Sequence, residues 1–371
     1  MKITYIIESL DNSGGMERVI TQKANWIEKN TDHQITIITF CQEPTKPDFF
    51  QLDSNIHRVR WELENKKLRK HLHPQLNQWL SENPQDICIS TYGREFDVLP
   101  KLNDTSNKIV EFHFCYDINT KWAEKSKHPL IAKLIGFART RKMVHIANKY
   151  DKIVVLTKRD LKKWRSSKVE FIPNPITISP FSSSDCSSKR VIALGRMDRQ
   201  KGFDYLIECW KIIEKKHPDW HLDIFGSGDS KPYQSLIENN HLKTIRIYPA
   251  TKDVSKELIN SSIYVLSSRY EGFSLTICEA MSCGLPIVTF DCPNGPAELV
   301  KDGENGFVID KVGDIRLMAE KISQLITNET QRKKFGKKSL ELSQTYRIEN
   351  IMNLWENLFN SLISNQRNKT V

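Results

Sequence analysis

The segment Phe171-Ile172-Pro173-Asn174-Pro175, followed by a serine-rich run from Ser179 to Ser188, divides the chain into two halves. Two prolines one residue apart remove two backbone donors and fix two φ angles, so neither a helix interior nor a central strand accepts them. The segment reads as a linker. Before it, Ile3–Glu8, Gln34–Phe40, Asp86–Ser90, Lys108–Phe112 and Lys152–Leu156 read as short apolar strands with helical stretches between them. Met16–Asn30 places Val19, Ile20, Ala24 and Ile27 at helical spacing. After it the alternation restarts, with strands at Arg190–Leu194, His221–Phe225, Ile245–Tyr248, Ile263–Ser267 and Pro286–Phe290. Helices are expected over Phe203–Lys216, Pro232–Asn240, Asp253–Asn260 and Leu275–Cys283. Strand and helix in turn predict a parallel, doubly wound sheet. The expected architecture is therefore two Rossmann-like α/β domains, residues 1–175 and 176–349, facing a central cleft. A final amphipathic helix, within about 350–371, carries Ile351, Leu354, Trp355, Leu358 and Phe359 and is expected to pack back on the first domain.

Size and composition agree with two globular domains. The 371 residues exceed one domain at a prior of roughly 150 residues each. A hydrophobic content of 39% with 27% charged residues argues against disorder. No apolar run approaches the roughly 18 to 20 residues that span a bilayer. The first run is broken by Glu8, which reads as a buried strand rather than a signal peptide. Eight cysteines are scattered without a C-x-x-C pair or histidines at zinc spacing, so ordinary thiols in a reducing cytoplasm are expected. The net charge of +10 is uneven: Lys121–Lys168 holds fifteen Lys and Arg against Glu124, Asp151 and Asp160, whereas residues 179–371 hold 26 basic and 24 acidic side chains. Such a field attracts anionic partners over a Debye length of about 8 to 10 Å. Nucleic acid, an anionic membrane surface and a phosphorylated substrate all fit it, as does a solvated helix face.

Three strand-to-helix turns carry chemistry. Asp11-Asn12-Ser13-Gly14-Gly15-Met16-Glu17 follows the first strand, where glycines let backbone N–H groups approach a ligand at a helix N-terminus. It lacks the G-x-G-x-x-G dinucleotide fingerprint, and a structural tight turn fits it nearly as well. In the second half, Gly195-Arg196-Met197-Asp198-Arg199-Gln200-Lys201-Gly202 offers two cations suited to a diphosphate, Arg196 as a fork and Lys201 as a point charge. In Arg269-Tyr270-Glu271-Gly272-Phe273-Ser274-Leu275-Thr276-Ile277-Cys278-Glu279-Ala280, Ser274 stands where a helix N-cap is expected. The amides of Ser274, Leu275 and Thr276 are then first-turn donors for an anion. Glu271 and Glu279 can each accept two neighbouring hydroxyls of a sugar or ribose; the bland alternative is a capped helix with two solvated glutamates. His113 closes the strand Lys108–Phe112, where a structural and a catalytic role weigh about equally.

The combination Gly195-Arg196, Lys201-Gly202, Phe225-Gly226-Ser227-Gly228, Glu271-Gly272-Phe273, Glu279-Ala280 and Gly284-Leu285-Pro286 resembles the retaining GT-B glycosyltransferases of family 4. Ile172-Pro173-Asn174-Pro175, Gly14-Gly15-Met16-Glu17 and Asp302-Gly303-Glu304-Asn305-Gly306 resemble it too. The resemblance implies that Arg196 and Lys201 bind the donor diphosphate, and that Glu279 holds the ribose hydroxyls while Glu271 contacts the transferred sugar. It further implies phosphate contacts from the amides around Phe273, Ser274 and Leu275. His113 is implied to face the reacting sugar, and Gly14 and Gly15 to border donor and acceptor. Retention of anomeric configuration, by front-face attack, is implied as well. The chain has no D-x-D triplet, so transfer without a bound metal or other cofactor is expected, with the cations and a helix N-terminus supplying positive charge. Asp291-Cys292-Pro293-Asn294-Gly295-Pro296-Ala297-Glu298 resembles members that use UDP-sugars in bacterial surface polysaccharide assembly. Tyr248-Pro249-Ala250-Thr251 departs from the family, where a glycine is commoner near the nucleotide base.

The expected partners are thus a nucleotide-sugar donor and a saccharide or lipid-linked acceptor. Nucleic acid is not expected, because stacking platforms and RNA-binding signatures are not evident. The expected location is cytoplasmic, with the inner face of the membrane as a place of peripheral contact. The competing readings are a nucleotide-sugar epimerase or NAD-dependent oxidoreductase on paired Rossmann domains, and a non-enzymatic module for anionic ligands. The missing G-x-G-x-x-G counts against the oxidoreductase.

Overall fold

The run Ile3–Ile7 is buried at every residue, as befits a central parallel strand whose two faces are both covered. In this computed structural model, which describes residues 1–63, 68–123, 128–293 and 295–370, the chain divides into two units. Met1–Asn174 with Ile348–Val371 form the first, and Pro175–Arg347 the second.

The first unit is built on β1 (Lys2–Ile7), β2 (Gln34–Thr39), β3 (His57–Arg60), β4 (Ile87–Ser90), β5 (Asn107–Phe112), β6 (Lys152–Val155) and β7 (Val169–Phe171). All pair in parallel in the order β3-β2-β1-β4-β5-β6-β7. Register places Ile3 beside Ile35 on one side and Ile87 on the other. Its helices are α1 (Gly15–Asn30), α2 (Leu68–Glu82), α3 (Ile118–Ala123), α4 (Pro129–Ala147) and the single turn α5 (Lys158–Leu161). Because strand side chains alternate between faces, Ile3, Tyr5 and Ile7 meet Ile20, Ala24 and Ile27 of α1. Ile6 and Ile38 face the opposite layer, with Leu72, Leu76 and Leu80 of α2 and Met143 and Ala147 of α4. Pro74 lies inside α2 but on its exposed side.

The second unit carries β8 (Arg190–Leu194), β9 (His221–Gly226), β10 (Ile245–Pro249), β11 (Ile263–Leu266), β12 (Ile287–Phe290) and β13 (Gly306–Ile309). These strands are parallel in the order β10-β9-β8-β11-β12-β13. Its helices are α6 (Phe203–Lys216), α7 (Lys231–Asn239), α8 (Val254–Ile259), α9 (Leu275–Ser282), the turn α10 (Pro296–Leu299), α11 (Ile315–Thr327) and α12 (Glu329–Ser343). Val191 and Ala193 pack with α6 and α11 on one face, and Ile192 and Leu194 with α9 on the other. The last helix, α13 (Ile348–Thr370), brings Ile351, Met352, Trp355 and Phe359 to the α1 side of the first sheet.

Each sheet is doubly wound and Rossmann-like, as expected. Beyond the expectation, β3, β7 and β13 add edge strands, and α11 and α12 precede α13. Phe171 belongs to β7, so the irregular segment starts one residue later than the linker reading placed it. Asn294 and Val371 lie outside the described residues, as do residues 124–127 of the basic stretch.

Candidate functional site in the second unit

The order of the second sheet reverses between β8 and β11, and open parallel sheets hold ligands outside the carboxyl ends of their strands at such a switch point. Two loops leave from there, Gly195–Gly202 after β8 and Ser267–Ser274 after β11. The first is pinned through its backbone: Gly195 N–H donates to the Phe225 carbonyl at 3.0 Å and Met197 N–H to Ser227 at 2.7 Å. Asp198 caps the short 3-10 turn Arg199–Lys201 by accepting the Lys201 N–H. Gly202 follows at φ +64°, and a Cβ there would stand 2.2 Å from the Ser267 carbonyl oxygen. Only glycine lets the two loops touch at this point. Ser267 Oγ reinforces the contact by donating to the Lys201 carbonyl at 2.9 Å.

That contact aims Lys201 at Glu271. Its Nζ donates to Glu271 Oε1 at 2.8 Å, and the two side chains are 14% and 7% exposed. Ser268 Oγ donates to the same carboxylate oxygen at 2.6 Å. The far side is closed by Gly295, whose missing Cβ would lie 2.2 Å from the Gly272 carbonyl. Glu271 therefore belongs to a buried ion pair and is not a solvated glutamate. Burial also corrects the bland reading of Glu279, which is nearly inaccessible and accepts from the Thr177 hydroxyl.

Ser274 occupies the N-cap position of α9, but its hydroxyl does not cap the helix. It approaches Thr276 Oγ1 instead, at 3.3 Å, while the Tyr264 hydroxyl donates to that same Thr276 atom at 2.7 Å. No acidic residue stands in the first turn of α9, so its amides at Leu275 and Thr276 and the helix dipole are available to an anion. Phe273 is half-buried, its ring 5.7 Å from that of Tyr346. Arg196 is not gathered with Lys201: its side chain is 67% exposed and rests on Asp198 at 3.2 Å and Gln200 at 3.3 Å. Ser268, Tyr264 and Thr177 were not legible as members of this constellation, and Thr276 was legible only through its amide, not through the hydroxyl that Tyr264 and Ser274 approach. Thr177 is 102 residues from Glu279, and nothing local in the sequence signals that pairing. Among the described residues, no group of three His, Cys, Asp or Glu is placed to hold a metal ion.

In the first unit, Gly14 is the N-cap of α1 and exposed Gly15 its first residue. The space above Gly14 is filled by Glu17, whose Oε2 would lie 2.0 Å from a Cβ there. Asn12 ties the turn together, accepting the Gly14 N–H and donating to Glu17 Oε1. The opening that the glycines promised to a ligand is thus partly taken by a carboxylate of the same helix. His113 is not a lone histidine. Its Nε2 lies 3.4 Å from Glu111 Oε1, and Glu111 forms a buried ion pair with Lys23 at 2.6 Å. Burial works against ionising Glu111, but the Lys23 ammonium and His113 outweigh it and bring its carboxyl down to about 2. Lys23 also lies 4.3 Å from the centre of the Trp355 ring on α13.

Residues 177–341 match the family model described as glycosyl transferases group 1. The chain is 29% identical to an uncharacterized glycosyltransferase of Haemophilus influenzae, over 96% of this chain and 99% of the relative. It is 27% identical to the amylovoran biosynthesis glycosyltransferase AmsD of Erwinia amylovora, over 97% and 99% respectively. Among solved structures it is similar to S. aureus TarM in complex with fondaparinux, alpha-GlcNAc-glycerol and UDP, with a TM-score of 0.78 and 20% identity over 97% of this chain and 99% of that one.

Proposed function

We propose that this chain, a glycosyltransferase of the GT-B fold, moves a hexose or N-acetylhexosamine from a UDP-sugar to a saccharide or lipid-linked acceptor in polysaccharide biosynthesis. The second unit serves the nucleotide sugar and the first unit the acceptor. Lys201, with Arg196 swinging in from solvent, neutralises the diphosphate as the glycosidic bond to it breaks. The amides of Phe273, Ser274 and Leu275 hold its oxygens, Glu271 takes hydroxyls of the transferred sugar, and Glu279 takes those of the ribose. Gly15 and His113 contribute from the first unit, His113 toward the reacting sugar. Transfer proceeds with retention at the anomeric carbon and without a metal ion.

The observation that carries this reading is the buried Lys201–Glu271 pair beside the open N-terminus of α9. A buried ion pair costs several kcal/mol of desolvation per ion and is a poor device for stability alone. Fixed charge beside a site where negative charge develops is instead what lowers a transfer barrier. AmsD acts in amylovoran biosynthesis and TarM binds UDP, which supports the polysaccharide context and the choice of nucleotide.

The test begins with a panel of nucleotide sugars in a thermal-shift assay, where a ligand at a hundred times its dissociation constant adds about 2.7 kcal/mol. UDP-sugars should raise the melting temperature more than GDP- or ADP-sugars. Lys201→Met alone leaves Glu271 buried without its cation and should destabilise the fold by roughly 3 to 5 kcal/mol. The double variant Lys201→Met/Glu271→Gln should recover folding, yet lose roughly a hundredfold or more in turnover. A well-folded double variant that releases UDP at the wild-type rate would remove these residues from the site.

A further inference from the structure

Five of the large apolar side chains that the described residues leave exposed belong to one helix. On α4, Leu130 is 80% and Leu134 71% exposed, and Ile131, Ile135 and Phe137 are also open to water. The helix is inverted relative to an ordinary amphipathic one. The small residues Ala132, Gly136, Thr140 and Ala147, with Met143 among them, face the protein. Gly136 fixes that orientation, because a Cβ there would stand 2.9 Å from the Asn119 carbonyl of α3. The outward face then divides along its length. Its first half is aliphatic and aromatic; its second half carries Arg139, Arg141 and Lys142, with Lys133 to one side. The halves adjoin where the Arg141 guanidinium lies 4.8 Å from the centre of the Phe137 ring.

Charge identifies the occupant. The helix Pro129–Ala147 contains no Asp or Glu, and its four Lys and Arg side chains are exposed. Other cations of the Lys121–Lys168 stretch are engaged within the unit: Lys152 with Glu170, Lys163 with Asp117, and Lys168 with the carbonyls of Asn148 and Tyr150. Lys133, Arg139, Arg141 and Lys142 therefore set exposed positive charge directly beside the apolar patch. A soluble polyanion would match the cations but leave the five apolar side chains in water. A protein interface usually takes about 800 Å² and 20 to 30 residues from each partner, more than one helix face offers. An anionic lipid surface satisfies both halves, taking the apolar side chains below the headgroups and the guanidinium and ammonium groups among the phosphates. No described helix is long and apolar enough to cross a membrane, so the contact is one of lying on the surface.

We infer that the outward face of α4 docks this protein on an anionic phospholipid surface. The docking is independent of the donor site, and its test needs no turnover. The full-length chain is sedimented with vesicles of phosphatidylcholine alone and with vesicles containing phosphatidylglycerol. Binding is expected to the anionic vesicles, weakened by salt. Leu130→Ser/Leu134→Ser/Phe137→Ser and, separately, Arg139→Glu/Arg141→Glu/Lys142→Glu should each lower the vesicle partition coefficient roughly tenfold or more. Both should keep the wild-type melting temperature and UDP-sugar thermal shift. If the wild type stays in the supernatant, or both variants sediment as it does, the inference is overturned. It is overturned in favour of self-association if the wild type is a dimer in solution that the apolar variant converts to monomer while vesicle binding is absent throughout.

Discussion

Glu95 gathers three donors on one carboxylate oxygen, from the Ser90 hydroxyl and the Thr91 and Gly93 amides, while its other oxygen is buried without a partner. Burial raises its carboxyl from 4.5 to about 7, against the pull of those hydrogen bonds. The folded state therefore holds the proton more tightly than the unfolded chain. Between pH 4.5 and 7 the unfolded chain ionises first, so stability falls as the pH rises through that window and levels off above it. The full loss is roughly 3 kcal/mol. Denaturant titrations at pH 5 and pH 8 should show this decline in the wild type and a smaller one in Glu95→Gln. Equal declines would mean that Glu95 does not carry the effect. Residue environments of this kind are where sequence reading stops. Arg196 and Lys201 look equivalent as two cations in one loop, yet Lys201 is held on Glu271 and Arg196 lies in solvent. The difference is made by Asp198, which fixes the turn at the Lys201 amide, and by a carboxylate 70 residues away. The first is a local cap, but the second is set by the fold and leaves no mark on the local pattern.

At the scale of elements, the alternation of apolar strands and amphipathic helices was legible, because strands buried on both faces read as continuous apolar runs. That was enough for the doubly wound sheets. The strands it missed are edge or short ones. β3, His-Arg-Val-Arg, is only partly buried, and β7 has three half-buried residues, so neither carries an apolar run to detect. The junction of β8 and β11 was half legible: both loops stood out, but not the backbone contact that joins them. Gly202 makes that contact, and it predicts the cost of replacing it. In Gly202→Ala the new Cβ meets the Ser267 carbonyl in a backbone conformation that L residues rarely adopt. The left-handed conformation alone costs of order 1 to 3 kcal/mol, and relief of the clash must move the loop that carries Glu271. Melting temperature and UDP-sugar affinity should therefore fall together. A variant that loses stability but binds donor as the wild type does would uncouple the two loops.

At the scale of the whole chain, the sequence builds the first sheet, then the second, and returns through α13 to complete the first core. Trp355 is fully buried on that returning helix. It packs with Ile20, Ala24 and Ile27 of α1 and lies against the Lys23 ammonium, which Glu111 holds from the other side. The C-terminal residues are thus structural partners of the N-terminal strand, and a defect in one should be felt in the other. Trp355→Ala should cost roughly 3 to 5 kcal/mol, as large buried aromatics do when truncated, and should leave the Lys23–Glu111 pair without its aromatic cover. Hydrogen exchange can locate the loss, since local opening free energies are read amide by amide. Amides of β1 and α1 should exchange faster in the variant, although they are separated from position 355 by more than three hundred residues of sequence. Those of β8 and β11, whose core cluster contains no residue of α13, should keep their protection. Faster exchange confined to α13 itself would show instead that the helix only rests on a first core already complete without it.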